Sequence, residues 1–513
     1  MVEVGIYDDP DNQYQGIAWL DVDNKNTLMI GSSQYGKTNL IQCIIRSIVK
    51  GGSPKESVIY IIDFGSMVLK NFENLNHVGG VVCSSEDEKL KNLFKMLHTE
   101  IALRKEKLAA LGLSSYASYR EAGYTDLPHI YLLVDNLTAL IELYLEDNDT
   151  LLILIREGLA VGISTLVANS QTTGIGYKYL SNFSNKVALY CNDSNEYSYL
   201  YDHMILQADE IPGRCVIELE NRMVECQTYL SFNGEKEIDR VREMHAFVEK
   251  INEANSSIHA KKIPCIPTIL TFTQLQQDFN VEVTEYRIPV GLTYTEVSPF
   301  YLDISNLGAM GLCGRKNSEH KNFIAYMMYC LNENRTKYPV RTFIVDDISR
   351  MFADLQSLDI VVQYTLDINK ITEIITSIHE ALHLRYQDMI ESTNPEKVNE
   401  LLLLVIQNNE ATKVISDDLD LMTLYTEIVT KYKHMKVCIL FSNYENVIVS
   451  YDAPEPLRMV KQEQHLLYFD NLDNLKPFDV PYEIVRENKK KLECQDAYYI
   501  QDNTVTKLKM VRV

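Results

Sequence analysis

The chain of 513 residues carries 49 basic and 71 acidic residues, a formal net charge of −22. That balance disfavours nucleic acid as its main partner, because neutralising a phosphate backbone takes clustered Lys and Arg. The length predicts two to four domains. Ten cysteines lie scattered from Cys43 to Cys494 with no C-x-x-C pair and no histidine at metal spacing, and they read as reduced, mostly buried thiols of a cytosolic protein. No apolar run approaches the ~18 residues of a bilayer span, and no charged-then-apolar signal opens the chain. The chain is expected to be soluble, with any membrane anchor in a longer parent.

Met1 to Asn26 is turn-rich, with a strand expected near Val2–Tyr7 and the only tryptophan, Trp19, leading into the stretch Leu28–Ile41. There Gly31, Ser32, Ser33, Gln34, Tyr35, Gly36, Lys37 and Thr38 fit G-x-x-x-x-G-K-[ST], between a short apolar strand and a helix with apolar Leu40, Ile44, Ile45 and Ile48. Glycines in such a loop let the backbone wrap a phosphate chain, with N–H groups and the helix N-terminus turned toward negative charge. The nucleotide-binding set is therefore Gly31 through Thr38 together with Asn39, with Lys37 reaching the β/γ-phosphates and Thr38 ligating Mg²⁺. The bland alternative is a glycine turn that binds nothing.

Ser57–Asp63 is a continuous apolar run, as in a parallel strand buried on both faces. Glu86 to Leu111 has apolar residues at helical spacing, and His129–Asp135, Ile163–Asn169 and Lys186–Tyr190 are further short apolar strands. Alternating strand and helix predicts an α/β domain with a largely parallel sheet. Asp135, at the end of a buried strand after the loop, is the expected Mg²⁺ acid. Asp63 also ends a strand but belongs by chain order to the next one, and it could equally cap the following helix. Position 136, where an acid would activate the attacking water, holds Asn136; an amide orients water without taking its proton, so binding with slow turnover is expected. Ser170-Gln171 is where a γ-phosphate-sensing side chain would sit, unless Gln171 is a solvated loop residue.

Around Asn252 to Pro267 the pattern lapses into small, polar and proline residues, which sets the expected division as 1–253, a linker 254–284, and 285–513. The second part repeats the first. Gly31–Ile41 lies without gaps over Gly314–Ile324, and 26 residues separate position 37 from Asp63 and position 320 from Asp346 alike. The repeat has lost its chemistry: Gly36, Lys37, Thr38 and Asp135 correspond to Glu319, His320, Lys321 and Gln407. Val345-Asp346-Asp347 is the counterpart of Asp63, not of Asp135. The second copy is expected to be a pseudo-enzyme that keeps the fold without the reaction. The architecture expected is two tandem RecA-like P-loop NTPase domains with largely parallel central sheets.

The motifs Gly5-Ile-Tyr-Asp-Asp-Pro10, the phosphate loop, Ile61–Gly65, Gly79–Val82, Arg156-Glu-Gly158 and Ser170-Gln171 resemble tandem FtsK/SpoIIIE-type ATPase domains. The specific likeness is to the C-terminal pair in the EssC/EccC membrane ATPase of type VII (ESAT-6-like) secretion. The resemblance implies ATP with Mg²⁺ as ligands, homo-oligomeric ring assembly at the cytosolic face of the bacterial membrane, and an N-terminal membrane region beyond this chain. It also implies other type VII components as partners and WXG100/ESAT-6-like secreted proteins recognised through C-terminal signals. Asn136 departs from the Glu of active motors of that family. Two other readings compete: an FtsK-like DNA translocase, which the net charge and Asn136 disfavour, and a regulatory GTPase, for which no Asn-Lys pair has its Asp at the third position after Asn.

Overall fold

The computed structural model describes all residues except 145–149, 202–205, 220–221, 315–316, 392–399, 443–452, 464, 476–479, 490, 503 and 513. The chain folds as two units, Met1–Cys265 and Ile266–Val513. In the first, the strands are β1 Val2–Asp9, β2 Tyr14–Leu20, β3 Thr27–Ile30, β4 Ser57–Asp63, β5 Val78–Cys83, β6 His129–Asp135, β7 Ile163–Asn169, β8 Asn185–Leu189, β9 Arg214–Leu219 and β10 Arg222–Thr228. They form one sheet in the order β2-β1-β10-β9-β8-β3-β7-β6-β4-β5. From β8 to β5 every neighbour is parallel, whereas β9, β10, β1 and β2 add an antiparallel wing.

Every residue of β4 and of β6 is buried, because the sheet is covered on both faces. Alternate residues feed two cores. Val58, Tyr60, Ile62, Ile130, Leu132 and Val134 pack with Leu90, Leu93, Leu97 and Ile101 of helix α1 (Asp87–Ala110). On the other face, Ile59, Ile61, Tyr131 and Leu133 pack with Leu40, Ile44 and Ile48 of the helix Lys37–Lys50, and with Met244 and Val248 of the helix Glu237–Ala254. Truncating such a side chain to alanine typically costs ~2–5 kcal/mol.

The second unit's strands are β11 Arg287–Thr293, β12 Pro299–Asp303, β13 Gly308–Cys313, β14 Val340–Val345, β15 Val361–Thr365, β16 Leu401–Ile406, β17 Val437–Phe441, β18 Leu466–Tyr468, β19 Asp496–Gln501 and β20 Thr504–Met510. Their order, β12-β11-β20-β19-β18-β13-β17-β16-β14-β15, is the first sheet's order strand for strand. The repeat read in the sequence is thus a repeat of topology, and β16 again sends alternate leucines to two separate cores.

Residues 254–284, expected as a linker, divide between the units. Ala260 and Ile263 are buried in the first core, and their N–H groups donate to Asn76 O (2.7 Å) and Gly79 O (3.0 Å) beside β5. Leu270 and Leu275 are buried in the second, where the helix Phe272–Phe279 starts at a capping box of Thr271 and Gln274. Among the described residues, no helix is long and apolar enough to cross a membrane.

Candidate nucleotide-binding site

In the first unit the carboxyl ends of β3, β7 and β6 lie side by side, with Ile30 paired to Asn169 and Asp135 paired to Ala168. Ligands of open α/β sheets bind at such strand ends. The loop leaving β3 is tied down at once: Gly31 N–H donates to Asn169 O (3.3 Å) and Ser32 N–H to Tyr190 O (2.8 Å). A Cβ on Gly31 would stand 2.8 Å from Leu189 Cβ, so the close approach requires glycine. Gln34 (φ 71°) and Gly36 (φ 103°) then turn the chain through the left-handed region into the helix that opens at Lys37.

Lys37 arches back over the loop, its Nζ donating to Gly31 O (2.6 Å) and Ser32 O (2.9 Å). Burial lowers its pKa, and the Asp135 charge acts against that shift. Thr38 Oγ1 donates to Asp135 Oδ2 (3.3 Å). Asp135 is 4% exposed, and its carboxyl is pushed up to about 6, first by burial and then by the Asp63 charge, with Lys37 and the Thr38 hydroxyl pulling the other way. A buried carboxylate this poorly compensated, beside a hydroxyl, is a fitting donor set for a hard divalent cation. A cleft of about 690 Å³ opens over these groups, lined among others by Ser33, Gln34, Gly36, Lys37, Thr38, Asp135, Asn136, Asn169 and Ser170.

Not every residue of the predicted set points its side chain into the cleft. Asn39 Nδ2 donates to Tyr229 O (2.7 Å) and its Oδ1 accepts from Ser231 N–H (2.9 Å), pinning the helix start to the segment after β10. The Tyr35 hydroxyl donates to Glu210 (2.9 Å) and its ring packs on Tyr190 at 4.5 Å. Asn136 sits at φ 72°; its Nδ2 donates to Phe64 O (3.3 Å), and its Oδ1 accepts from Ala139 N–H (3.2 Å), capping the helix Leu137–Tyr144. Gln171 is exposed and outside the cleft lining, while its carbonyl accepts from Asn169 Nδ2 (2.6 Å). Several lining residues escaped sequence reasoning, among them Ser66, Asn169, Glu237 and Arg240. Asn169 is the last residue of an apolar strand, a signal that could have found it; Glu237 and Arg240 come from a helix some 200 residues past the loop, with no local signal.

Asp63 accepts N–H groups from Gly65 (3.2 Å), Met67 (3.1 Å) and Leu69 (2.9 Å), so it holds its own loop. Asp346 does the same in the second unit, accepting from Phe352 N–H at 2.9 Å, six residues on, as Leu69 is from Asp63. At the described positions of the phosphate-loop counterpart, side chains bond to the surrounding chain. His320 is buried, its Nδ1–H donates to Ser442 O (2.7 Å), and its ring lies 5.1 Å from that of Phe469. Burial lowers its pKa, keeping the imidazole neutral. The Ser442 hydroxyl donates to Gln407 Oε1, and Gln407 Nε2 donates to Asp347 (3.4 Å). Lys321 Nζ pairs with Asp354 at the surface (3.0 Å). Arg315 and Lys316, in the middle of the aligned loop, lie outside the described residues.

A phosphate loop between a strand and a helix, facing a strand-end aspartate across one intervening strand, makes the first unit a P-loop nucleotide-binding fold, and the second unit repeats its strand order without that loop sequence or that aspartate. Residues 13–171 match the FtsK/SpoIIIE family, so the first unit carries an FtsK/SpoIIIE domain. The chain is similar to the ESX secretion system protein YukB of Bacillus subtilis (strain 168), at 25% identity over 332 residues, 64% of this chain and 22% of YukB. It therefore spans under a quarter of that relative's length. Its fold is that of EssC (ATPases 2 and 3) from Geobacillus thermodenitrificans, with a TM-score of 0.84 at 20% identity over all of this chain and 96% of that one. Thermomonospora curvata EccC (ATPases 2 and 3), in complex with a signal sequence peptide, matches with a TM-score of 0.64 at 18% identity, over 100% of this chain and 93% of that one.

Proposed function

We propose that this chain is the ATP-binding, substrate-engaging part of a type VII secretion ATPase, working at the cytosolic membrane face as part of a ring. The observation that carries the reading is the contrast between the two units: one has an open cleft over Lys37, Thr38 and Asp135, and the other has His320, Ser442 and Gln407, hydrogen-bonded in series, at the corresponding strand ends. The first unit binds ATP through Gly31–Thr38. Lys37 exchanges its two carbonyl acceptors for phosphate oxygens, which as charged acceptors make the stronger hydrogen bonds. Thr38 and Asp135 hold Mg²⁺, which supplies charge neutralisation at the phosphates.

Turnover is slow, because both polar atoms of the Asn136 side chain are engaged with backbone and neither takes a proton. The second unit serves as the recognition surface for WXG100/ESAT-6-like proteins bearing C-terminal signals. Two supports bear on that role: the likeness to Thermomonospora curvata EccC in complex with a signal sequence peptide, and a core kept while Gly36, Lys37, Thr38 and Asp135 are replaced by Glu319, His320, Lys321 and Gln407. Titration of the full chain with ATP and Mg²⁺ tests the reading. Binding that Lys37→Ala weakens by a few kcal/mol is expected, since charge-assisted contacts run roughly 1.5–3 kcal/mol each; equal affinity in both proteins refutes it.

A further inference from the structure

The helix Glu237–Ala254 is the last long helix of the first unit, far in sequence from the phosphate loop. Its outer turns are firmly seated: Met244 and Val248 are buried in the core, and Phe247 packs on Phe232 with ring centroids 5.8 Å apart. Its first two turns carry Glu237 and Arg240 to the wall of the phosphate cleft. Both residues also line an adjoining pocket of about 410 Å³, which shares Gly36 and Thr38 and adds apolar Phe232, Val241 and Met244. Arg240 thus lines both the cleft over Lys37 and Asp135 and a pocket whose walls mix apolar and polar side chains.

The side chain is placed there by construction. Gly234 has φ 153°, and a Cβ on it would lie 2.9 Å from Arg240 N and 3.0 Å from Arg240 Cγ, so glycine leaves room for the arginine stem. Arg240 is half-buried as a residue, and among the described residues its guanidinium has no hydrogen-bond or ion-pair partner, although Glu237 lies one turn away on the same helix. Its neighbour Arg46, by contrast, is spent on the faces of Phe232 and Phe247, at 4.9 and 5.3 Å. Within the cleft the Lys37 charge is offset by Asp135, so a polyanion entering it meets little other positive charge. A planar guanidinium presents a fixed fork of donors that suits phosphate oxygens, and low-dielectric walls strengthen the contact.

Resting on the phosphate-site reading above, we propose that Arg240 contacts the phosphates of the bound nucleotide from within the same chain, making the helix Glu237–Ala254 a part of the nucleotide site. The test is displacement of a fluorescent ATP analogue from the full chain by ATP, ADP and adenosine, in the presence of Mg²⁺, for the parent, Arg240→Ala, Arg240→Lys and Lys37→Ala. Arg240→Ala is expected to lose at least tenfold in ATP and ADP affinity while adenosine competes as before, and Arg240→Lys is expected to recover part of the loss. ATP affinity within twofold of the parent in Arg240→Ala overturns the proposal, as does an equal loss for ATP and adenosine. Should the alanine variant fail to fold, Arg240→Gln keeps the stem over Gly234 and gives the same readout. A parent chain that binds ATP but loses it with Lys37→Ala upholds the phosphate site by itself, so a silent Arg240 is distinguishable from a site that is not there.

Discussion

Asp63 and Asp135 are register partners at the ends of the neighbouring parallel strands β4 and β6, yet their carboxylates are used in different ways. Asp63 is saturated by three N–H groups of its own loop. Asp135 has one hydroxyl from Thr38 and the repulsion of Asp63 beside it. Gly65 lets the Asp63 loop pass over its neighbour, since a Cβ there would stand 2.8 Å from Asp135 Oδ2.

This division predicts an unusual pH response. The Asp135 carboxyl is raised to about 6 in the folded chain from an ordinary 3.8, so the folded state holds a proton that the unfolded state releases. Its ionisation therefore destabilises the fold, fully above about pH 6 and not at all below the unfolded value. Asp135→Asn should stabilise the nucleotide-free protein at pH 7–8 by at most on the order of 3 kcal/mol, seen as a higher melting temperature, and the gain should shrink as pH falls toward 4. The same variant should lose the Mg²⁺ dependence of ATP binding, and in the parent that dependence should weaken as pH drops through 6. Melting curves across pH, with and without Mg²⁺, check both.

Asp63→Ala should act in the opposite sense. Three N–H groups lose their acceptor; that of Leu69 is buried and left unsatisfied at a cost of ~1–3 kcal/mol, while those of Gly65 and Met67 lose a charge-assisted bond nearer the surface. A loss of several kcal/mol in chemical denaturation of the full chain is expected, with Asp346→Ala giving a comparable loss in the second unit because Phe352 N–H and the Tyr364 hydroxyl depend on it.

Asn136→Glu offers a carboxylate where water would need one, but the position resists it. The left-handed backbone at φ 72° suits Asn, and loss of the cap on Ala139 costs ~0.5–2 kcal/mol. The variant should melt below the parent while phosphate release stays slow. A rise of the ~10²–10⁴-fold that general-base assistance typically brings would show that the cap is dispensable.

Removing residues 266–513 should leave ATP affinity of the first unit nearly unchanged, because every residue of the cleft lies before 266. In cells, the same deletion in the parent protein should abolish or redirect export of particular substrates. Unchanged export of every substrate would make the second unit a spacer.

Much of this was legible in the sequence for a physical reason: strands buried on both faces must be apolar throughout, so β4, β6, β7 and β16 announce themselves as unbroken runs. The phosphate loop is legible because the backbone path it needs restricts which residues can stand at positions 31 and 36. The setting of Asn136 was not legible, since its side chain donates to Phe64 O and its main-chain N–H to Ala168 O, which only the sheet brings near. Glu237 and Arg240 were invisible for a related reason: nothing in a charged amphipathic helix tells which of its turns ends at a distant strand. The stretch after Asn252 read as a linker because polar and proline residues dominate it, yet two small or apolar side chains, Ala260 and Ile263, suffice to lay it against β5.

On the function proposed above, the hydrogen-bonded series from His320 through Ser442 and Gln407 to Asp347 leaves the second unit indifferent to the energy state of its surroundings. His320, Ser442, Gln407 and Asp347 are linked in series by hydrogen bonds, whereas Asp135 in the first unit has the Thr38 hydroxyl alone among the described residues. Anything that binds only the folded form stabilises it by mass action, about 2.7 kcal/mol at a hundredfold excess over the dissociation constant. A rise and fall of cellular ATP would thus stiffen and loosen one half of the molecule while the other half stays constant, giving the chain a variable part and a fixed reference within one polypeptide.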